Sequence, residues 1–585
     1  MKNSTLAEES KELAEKLDLT GAHRAFRTPI GRNVHGTWAR IAWIAVIAAV
    51  VVAVVYPTFR VVLTAVLDPN TGAFDARSFI QILQDPYTWE ATATTLGMGL
   101  VATVLALIFA APMAWAVVRT NMRGRRLFMH LSFMSFLTPG MLIALAYLIP
   151  FGPNMTGAAF LSNLFGTTTS LYSFWGLAII TAFHEFPIIF ISLAVALSSM
   201  SSDLEDAGYS HGISPVGVLR KITFPLMRPA LISASFLGFV AGINVFGVQA
   251  TLAIPGGIPL LTTAIYQDFG YPVDFVHAAT MSVILLVVSI VLTVLTNWYV
   301  GRHTHPMVVG KSGGSAKLIL SRWANIFLIA WSSLAMLIIL IVPGIILLLG
   351  SLSNTGSYTL SFDNLGFASY EALFELGQTV LALWNSAVFA LIATLTVLAI
   401  SLALVYFERH GFRFGKVMNS ISDLSFVIPG IVLSFGLITA YSTGPLVLYN
   451  TAAIIVIAYI GRFLPFGRRN LHGAIGEIDR DLELAAYSHG VSGGRTFSRV
   501  MFPLSKRALL AGAIICFFFA FNELSSSILL ITSETVVSAT VLLSYKEEGL
   551  IGQMYALSSV LFVLSVIAYL VVIKLAGRKA FADID

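Results

Sequence analysis

The chain has 585 residues, of which 57% are hydrophobic and only 11% are charged. Because about a quarter of the residues of a soluble globular protein are charged, this composition indicates an integral membrane protein. Basic residues retained in cytoplasmic loops explain the net charge of +5 without nucleic-acid binding. The single cysteine, Cys516, excludes a disulfide framework within the chain and any cysteine-based metal site.

The segment at 1–40 is polar and lacks the apolar core of a secretory signal. Thr5 and Glu8 fit a capping box, and Leu6, Leu13 and Leu17 fall on one side of a helix. We therefore expect a short amphipathic helix that lies in the cytoplasm or on the membrane surface.

Apolar runs of about 20 residues, long enough to cross a bilayer as helices, recur along the chain. They form two groups of six and predict an all-α membrane protein with about 12 transmembrane helices. The runs lie near 41–66, 93–118, 128–150, 173–198, 229–253 and 278–300, and then near 324–350, 385–406, 421–441, 451–467, 508–531 and 555–575. Pro139 and Pro429 fall inside two of these predicted spans, where neighbouring helices would satisfy the freed backbone groups.

Basic residues collect in the loops on one side of the predicted membrane. The loops at 119–126 and 408–416 are rich in arginine and lysine. In the loops on the other side the only basic residues are Arg77 and Lys546. The positive-inside rule then predicts that both termini and the central linker lie in the cytoplasm.

One polar stretch occurs twice, as DLEDAGYSHGISPVGVLRKITFP at 203–225 and as DLELAAYSHGVSGGRTFSRVMFP at 481–503. The two copies are related by a constant offset, since 481 − 203 = 278. An even number of spans in each half gives both halves the same orientation, so the repeats are parallel. The predicted organisation is a first transmembrane domain at 41–300, a linker at 301–323, a second transmembrane domain at 324–577 and a tail at 578–585.

Each copy predicts an acidic helix with small residues, a glycine turn and a second short helix that ends at proline. The small pairs Ala207-Gly208 and Ala485-Ala486 would let another surface approach closely. Gly212 and Gly490 suit the positive φ at a helix C terminus. Ser214 and Ser492 are expected to cap the next helix, and Pro225 and Pro503 to set its junction with the following span.

This pattern resembles the EAA loop of ABC importer permeases, in which Glu-Ala-Ala, a glycine and a hydrophobic-x-hydrophobic-Pro ending follow one another. The glutamate position holds Asp206 in the first copy and Leu484 in the second, each preceded by a glutamate. The resemblance implies two ATPase-coupling loops, formed by Glu205, Asp206, Ala207, Gly208, Tyr209, Ser210, His211, Gly212 and Pro225, and by Glu483, Leu484, Ala485, Ala486, Tyr487, Ser488, His489, Gly490 and Pro503.

The resemblance covers nearly the whole chain from about residue 40 and is closest to the fused two-domain permeases of the ferric-iron type. Relatives of that type import thiamine, polyamines and aminoalkylphosphonates, and these cargoes stay open as alternatives. The stretches at 246–269 and 521–530 carry the likeness. The latter is similar to a Lys-Glu-Leu-Pro segment of iron-type members, with Asn522 and Ser525 in place of the lysine and proline.

The resemblance implies a type I ABC importer fold and a transport subunit that is not itself an enzyme. It implies two copies of a cytoplasmic ATPase that hold ATP and Mg, an external binding protein, either periplasmic or lipid-anchored, and surrounding lipid of the bacterial inner membrane. No cofactor is expected on this chain, since Gly310-Lys311-Ser312 lacks the upstream glycine of a phosphate-binding loop.

Ionisable residues inside spans cost about 2.5–3.5 kcal/mol on insertion scales, so each one is a candidate for the transport pathway. The ionisable candidates are His184, Glu185 and Glu523, and the matched asparagines Asn244 and Asn522 join them as candidates for hydrogen bonds between helices. The alternative, that each one pairs with a polar neighbour or stabilises helix packing, stays open. An ion-driven carrier is the other functional hypothesis, because such carriers also have two parallel six-helix halves. It would predict no duplicated cytoplasmic loop.

Overall fold

The structure, a computed structural model, describes most of the chain between residues 37 and 576. The described ranges are 37–68, 71–153, 155–165, 170–201, 203–303, 318–353, 364–409, 412, 414–476, 478–491 and 493–576. The predicted N-terminal amphipathic helix, most of the linker and the tail at 578–585 lie outside them.

The first half of the described chain contains twelve helices. Its helices are α1 (37–66), α2 (Arg77–Gln84), α3 (Pro86–Arg119), α4 (Arg125–Phe136), α5 (Gly140–Phe151), α6 (Thr156–Phe165), α7 (Phe174–Ser199), α8 (Asp203–Ser210), α9 (Pro215–Ile243), α10 (Phe246–Leu252), α11 (Leu261–Gln267) and α12 (Phe275–His303).

The second half repeats this order with one helix fewer in each of two loops. Its helices are α13 (Arg322–Leu352), α14 (Ala368–Glu375), α15 (Gly377–Arg409), α16 (Gly415–Leu424), α17 (Gly430–Tyr441), α18 (Ala452–Gly476), α19 (Arg480–Ser488), α20 (493–521), α21 (Ser538–Glu547) and α22 (Ile551–Ala576). The predicted all-α fold with two repeats is confirmed.

Eight helices of the described chain are long and apolar enough to cross a membrane, and ten spans result if each of two bent pairs counts as one. One bent pair is α4 with α5, and the other lies within α20. Two further predicted spans correspond to the short apolar helix α17 and to α18, which carries Arg462, Arg468 and Arg469. All twelve predicted apolar runs therefore contain a helix.

Pro139 and Pro429 interrupt the helices of their predicted spans. Each proline stands just before a helix, α5 or α17, and the chain between α4 and α5 bends by 98°. The physical reason is that proline has no N–H and disfavours helical backbone at the preceding residue. A proline at the start of a helix costs nothing, because the first N–H groups have no partner there.

The predicted spans at 229–253 and 508–531 are wrong at their C-terminal ends. The helix α9 ends at Ile243 and α20 ends at Phe521, each followed by an asparagine. Side chains from the following turns satisfy the last carbonyl groups, since the Gln249 amide donates to Gly242 O at 3.1 Å and the Ser538 hydroxyl to Phe521 O at 3.2 Å. The helices can therefore end inside the protein.

Within the described ranges, four helices each contain one π-turn, and each π-turn stands directly before an X-Pro pair. The turns are Val51–Val55, Leu219–Thr223, Leu337–Ile341 and Phe497–Met501, and the prolines are Pro57, Pro225, Pro343 and Pro503. Proline cannot donate a hydrogen bond, and its ring clashes with the carbonyl four residues earlier. Widening the preceding turn relieves the clash and keeps the helix continuous.

The first long helix of each half packs on the opposite half. The helix α1 contacts α17, and α13 contacts α5. Two tyrosines fasten these crossings, because the Tyr441 hydroxyl donates to Val52 O at 2.8 Å and the Tyr147 hydroxyl donates to Ile338 O. The two halves are thus interlocked rather than laid side by side, with one continuous core between them.

Candidate functional site

Each copy of the repeated polar stretch forms a short helix that ends in a glycine turn. In the first copy Gly212 has a φ of 76°, and Ile213 N–H donates to Gly208 O at 3.0 Å. In the second copy Gly490 has a φ of 74°, and Val491 N–H makes the matching bond to Ala486 O at 3.0 Å. These are Schellman turns. The predicted positive φ of both glycines is confirmed.

The second helix of each copy is longer than predicted. Ser214 caps it as expected, since its hydroxyl accepts from Gly217 N–H at 3.2 Å, whereas Ser492 lies outside the described residues. The predicted end at Pro225 is wrong, because α9 runs from Pro215 through a π-turn and on into the span as far as Ile243. The repeated stretch is therefore continuous with the membrane helix in the first copy, whereas α20 of the second copy bends by 67° on its way into the span.

We name the stretches 203–225 and 481–503 the first and second coupling elements. Their exposed face carries small and polar residues, Ala207, Ser210, His211 and Gly212 in the first and Ala485, Ser488, His489 and Gly490 in the second. Gly208 is instead buried, and a Cβ there would lie 2.8 Å from the Ile222 side chain. Its small size serves internal packing, so the prediction that it receives another surface is wrong.

Exposed leucines add an apolar component to this face. Leu204 and Leu482 occupy matching positions (482 − 204 = 278) and are 57% and 48% exposed. Leu484 is 46% exposed, whereas its counterpart Asp206 is half-buried. Burial raises the pKa of the Tyr209 phenol, and Glu205 and Asp206 add to the rise. This phenol is therefore neutral at physiological pH. The Tyr487 side chain lies outside the described residues.

A buried ion pair ties each coupling element to the second long helix of its own half. Arg119, the last residue of α3, lies 3.5 Å from the Glu205 carboxylate, and Arg409, the last residue of α15, lies 2.9 Å from Glu483. Each glutamate side chain is only 9% exposed. The Thr223 hydroxyl also donates to Glu205.

The same two arginines hold the chain that enters each coupling element. Arg119 donates to Met200 O at 2.9 Å, and Arg409 donates to Ile478 O at 3.4 Å. Both carbonyl groups stand just before the acidic helices, at the repeat offset (478 − 200 = 278). We call each arginine with its glutamate and carbonyl a clamp. Sequence reasoning missed both arginines, although their spacing (409 − 119 = 290) equals that of the two prolines (429 − 139 = 290).

A cavity of about 210 Å³ lies between the halves. Its wall contains His184 and Arg462, and also Asn244 and Asn522, at the repeat offset in both cases (462 − 184 = 278 and 522 − 244 = 278). Because both halves contribute equivalent positions, the cavity sits on the axis that relates the two repeats. We call it the axial cavity.

The polar groups of the axial cavity are unevenly satisfied. Asn244 is 5% exposed, and its Oδ1 has no hydrogen-bond partner in the structure. The Asn522 amide nitrogen donates to Phe518 O at 3.0 Å, which leaves its Oδ1 without a partner as well. Glu523 accepts at one oxygen from the Ser526 N–H and hydroxyl, at 2.9 and 3.1 Å. Phenylalanines form much of the remaining wall.

Glu185, although a candidate from the sequence, does not line the axial cavity. It is fully buried within the first half, where the Thr103 hydroxyl donates to its Oε2 at 3.1 Å. Gly238 and Gly242 on α9 leave room for its carboxyl group. The structure therefore brings together four of the five candidates, His184, Asn244, Asn522 and Glu523, and adds Arg462, which sequence reasoning missed.

A second cavity, of about 520 Å³, extends from the axial cavity toward the coupling elements. The two cavities share Val240 and Phe426. Its wall includes the polar side chains of Asn297, Asp423 and Arg469 among apolar ones, and Asp423 forms ion pairs with Arg468 and Arg469. In the part of the chain that the structure describes, no cluster of three or more His, Cys, Asp or Glu side chains could hold a metal ion.

A family model decides the identity of the two repeats. The model described as "Binding-protein-dependent transport system inner membrane component" matches residues 102–304 and 396–578, so each half carries one copy that includes a coupling element. The chain belongs to this family. Members of the family are ABC transport permeases, so the chain is a multi-pass membrane subunit whose role is transport and not catalysis. A binding protein and an ATPase are its general partners.

Several curated permeases are similar to this chain. The ferric transport system permease protein FbpB of Actinobacillus pleuropneumoniae is 27% identical over 534 residues, which cover 89% of this chain and 76% of the relative. A second relative, named "Putative ferric transport system permease protein FbpB 1" and from Haemophilus influenzae, is 28% identical over 83% of this chain and 76% of its own length. The molybdenum transport system permease protein ModB of Escherichia coli is 26% identical over 37% of this chain and 95% of its own length.

Proposed function

We propose that this family member is the membrane subunit of an ATP-driven importer whose cargo is ferric iron. The observation that carries the proposal is the likeness to two ferric permeases over more than four fifths of this chain, across both repeats. The ModB relative covers only about a third of the chain, which favours the fused iron-type architecture over its single-domain counterparts.

We further propose that two ATPase subunits bind, one at each coupling element. The exposed leucines and small residues of each element offer an apolar, low-relief surface for a groove on the partner. ATP and Mg belong to the partner in this scheme, and the chain itself contributes no reacting group. An external binding protein delivers the cargo on the opposite side.

The distribution of basic residues supports the orientation of the chain. The coupling elements, the linker and the tail all contain arginine or lysine residues, whereas the only basic residues of the opposite loops are Arg77 and Lys546. We propose that both termini and both coupling elements face the cytoplasm of a bacterial cell.

The clamps suggest how ATPase closure reaches the membrane helices. When the ATPase pair closes on ATP, the coupling elements approach each other. Each clamp then carries α3 or α15 along, because the arginine at its end is bonded to the element. The halves move as rigid bodies, so that the axial cavity opens to the external side. After ATP hydrolysis the halves move back, and the cavity opens to the cytoplasm again.

The proposal is tested by iron uptake into proteoliposomes that contain the chain with its ATPase and binding protein. We expect uptake that requires ATP, and a loss of about tenfold or more in Gly212→Val and Gly490→Val, because a β-branched residue at positive φ costs more than about 1–2 kcal/mol. Gly473→Val is the matched control, since Gly473 lies on a helix with no atom within 4 Å of a new Cβ.

Two results would contradict the proposal. Uptake driven by an ion gradient without ATP would make the chain a secondary carrier. ATP-dependent uptake of thiamine, a polyamine or an aminoalkylphosphonate, with no uptake of iron, would keep the importer and replace its cargo.

A further inference from the structure

An arginine without an acidic partner lines the axial cavity. The Arg462 guanidinium donates from Nη1 to Ile428 O at 3.0 Å, and no carboxylate of the described residues forms an ion pair with it. Arginine stays charged under all physiological conditions. A charge inside a membrane protein is costly unless it is paired, so the pairing charge for Arg462 is expected from a molecule that enters the cavity.

Arg462 is not the only positive feature of the wall. The N terminus of α5, at Pro139 and Gly140, also faces the cavity, and the aligned backbone dipoles of a helix place partial positive charge at its N terminus. Free N–H groups at such an end favour anions. The planar guanidinium fork matches the geometry of carboxylate and phosphate oxygens. These features fit an oxyanion.

Oxygen acceptors occupy the same cavity. Asn244 and Asn522 stand at the C-terminal ends of α9 and α20, where helix dipoles place partial negative charge, and both Oδ1 atoms lack a partner. Glu523 adds a carboxylate. Amide and carboxylate oxygens are ligands that hard cations prefer. An anion alone would leave these oxygens unmatched, and a cation alone would be repelled by Arg462.

We propose that the axial cavity takes a metal cation together with the oxyanion that chelates it. Arg462 pairs with the oxyanion, while Asn244, Asn522 and Glu523 turn their oxygens toward the cation. The inference rests on the proposed function in that the cation is taken to be ferric iron. A trivalent ion that keeps its anionic ligand carries less net charge, and this lowers the cost of leaving water.

The experiment follows iron and its chelator at the same time. Proteoliposomes with the chain, its ATPase and its binding protein are supplied with radioactive iron and radioactive citrate as the ferric complex. In the wild type we expect both labels to accumulate at a constant ratio. Arg462→Gln is expected to lower both by at least about tenfold, as the loss of a charge-assisted hydrogen bond implies. Arg462→Lys, which keeps the charge but not the fork, should retain an intermediate rate.

A matched control separates the cavity from the helix that carries it. Arg468 lies on the same helix α18, pairs with Asp423 and does not line the axial cavity, so Arg468→Gln should keep uptake rates for iron and for citrate within about twofold of the wild type, whereas Arg462→Gln lowers both. Stimulation of ATP hydrolysis by the loaded binding protein should persist in Arg462→Gln, which shows that this variant is assembled and coupled.

Each outcome bears on a different part of the inference. Iron that enters without citrate, or an Arg462→Gln variant with the wild-type rate for both labels, overturns it while iron import stands. Citrate that enters equally well without iron supports pairing of Arg462 with an oxyanion but overturns the role given to the cation. A wild type that imports no iron under ATP overturns the proposed function itself.

Discussion

Each half of the chain ends its second long helix in an arginine that is bonded to the neighbouring coupling element. The Arg119 side chain is 4% exposed and that of Arg409 is 14% exposed, so both ion pairs are largely shielded from water. Removing one partner of such a pair leaves an uncompensated charge and costs about 3–5 kcal/mol. The clamps therefore hold the coupling elements in place more firmly than surface ion pairs would.

The two clamps provide a test in which each half is the control for the other. Arg119→Gln should release α8 and raise its amide hydrogen exchange, by up to the two to three orders of magnitude that about 3–4 kcal/mol of local stability represents. The exchange of α19 should stay unchanged. Arg409→Gln should produce the reverse pattern. Equal exchange of α8 and α19 in both variants would show that the arginines do not act on their own elements.

A second variant distinguishes the charge from the packing of the first clamp. Arg119→Met combined with Glu205→Leu removes both charges and keeps apolar volume. Buried ion pairs replaced in this way often lose no stability. We expect the double variant to regain most of the slow exchange of α8 that Arg119→Gln loses.

Individual site residues were predictable where the backbone alone determines the residue. Gly212 and Gly490 follow from the need for positive φ after a helix, and Ser214 follows from its place before the next one. Arg119 and Arg409 were not predictable in role, because their partners are about 70–90 residues away in sequence and pair only after three helices have packed. Gly208 was misread, since an inward face and an outward face look alike in eight residues.

The π-turns in α1 and α13 leave a specific carbonyl group without a partner inside its own helix. Tyr56 N–H donates to Val51 O, and Pro57 has no N–H to offer to Val52 O. The same arrangement before Pro343 frees Ile338 O. The tyrosines of the opposite half donate to these two carbonyls. The spacing between the two carbonyl groups (338 − 52 = 286) equals the spacing between the two prolines (343 − 57 = 286). The proline thus creates the acceptor that fastens the crossing.

Removal of the tyrosine hydroxyl tests this explanation. Tyr441→Phe should destabilise the packing of α1 on α17 by about 1 kcal/mol, because it leaves a buried carbonyl group unsatisfied. In a Pro57→Ala background the helix can supply its own N–H, so Tyr441→Phe should cost little there. Melting temperatures of the four purified forms give the coupling energy. Equal costs in both backgrounds would contradict the role given to the proline.

The elements themselves were largely predictable, but their breaks were not. Apolar runs of sufficient length predicted a helix at all twelve positions, because length and hydrophobicity alone determine whether a segment can cross a bilayer. The ends of α9 and α20 depend on Gln249 and Ser538, which reach back to the last carbonyls from later turns. Hydropathy carries no information about such contacts.

At the scale of the whole molecule the two halves share a backbone plan but differ in charge. The repeat offset pairs His184 with Arg462, Val245 with Glu523, and Asp206 with Leu484. The ionisable residues of the axial cavity therefore come mainly from the second half, and an acidic residue of the coupling elements is replaced by leucine there. A cavity and two coupling elements on one polypeptide can diverge in this way, which two identical subunits could not.

The two coupling elements should differ in how much the matched residues Asp206 and Leu484 contribute to ATPase binding. The matched residues Leu204 and Leu482 should contribute equally. Leu484→Ala should weaken binding by about tenfold, since burial of a leucine contributes about 1.5–3 kcal/mol, and the loss should not depend on salt. Asp206→Ala should weaken the binding free energy of the ATPase by less than about 1 kcal/mol, and it should make that binding less dependent on salt concentration. Binding of the ATPase to the chain in nanodiscs measures both.

The matched leucines are the control for this asymmetry. Leu204 and Leu482 occupy the same position and have similar exposure, so Leu204→Ala and Leu482→Ala should weaken binding by similar factors. Identical losses from Asp206→Ala and Leu484→Ala would show that the two elements use the same chemistry after all.

The crossing of the first helices also governs the order in which the protein can be made. The bond between the Arg60 side chain and Thr439 O joins positions 379 residues apart. At about 5–20 residues per second, the ribosome needs on the order of tens of seconds to supply that partner. During this time α1 lies in the bilayer while α17, which it contacts in the finished protein, has not yet been synthesised. A gene split at the linker would therefore yield two fragments that must find each other before either is complete.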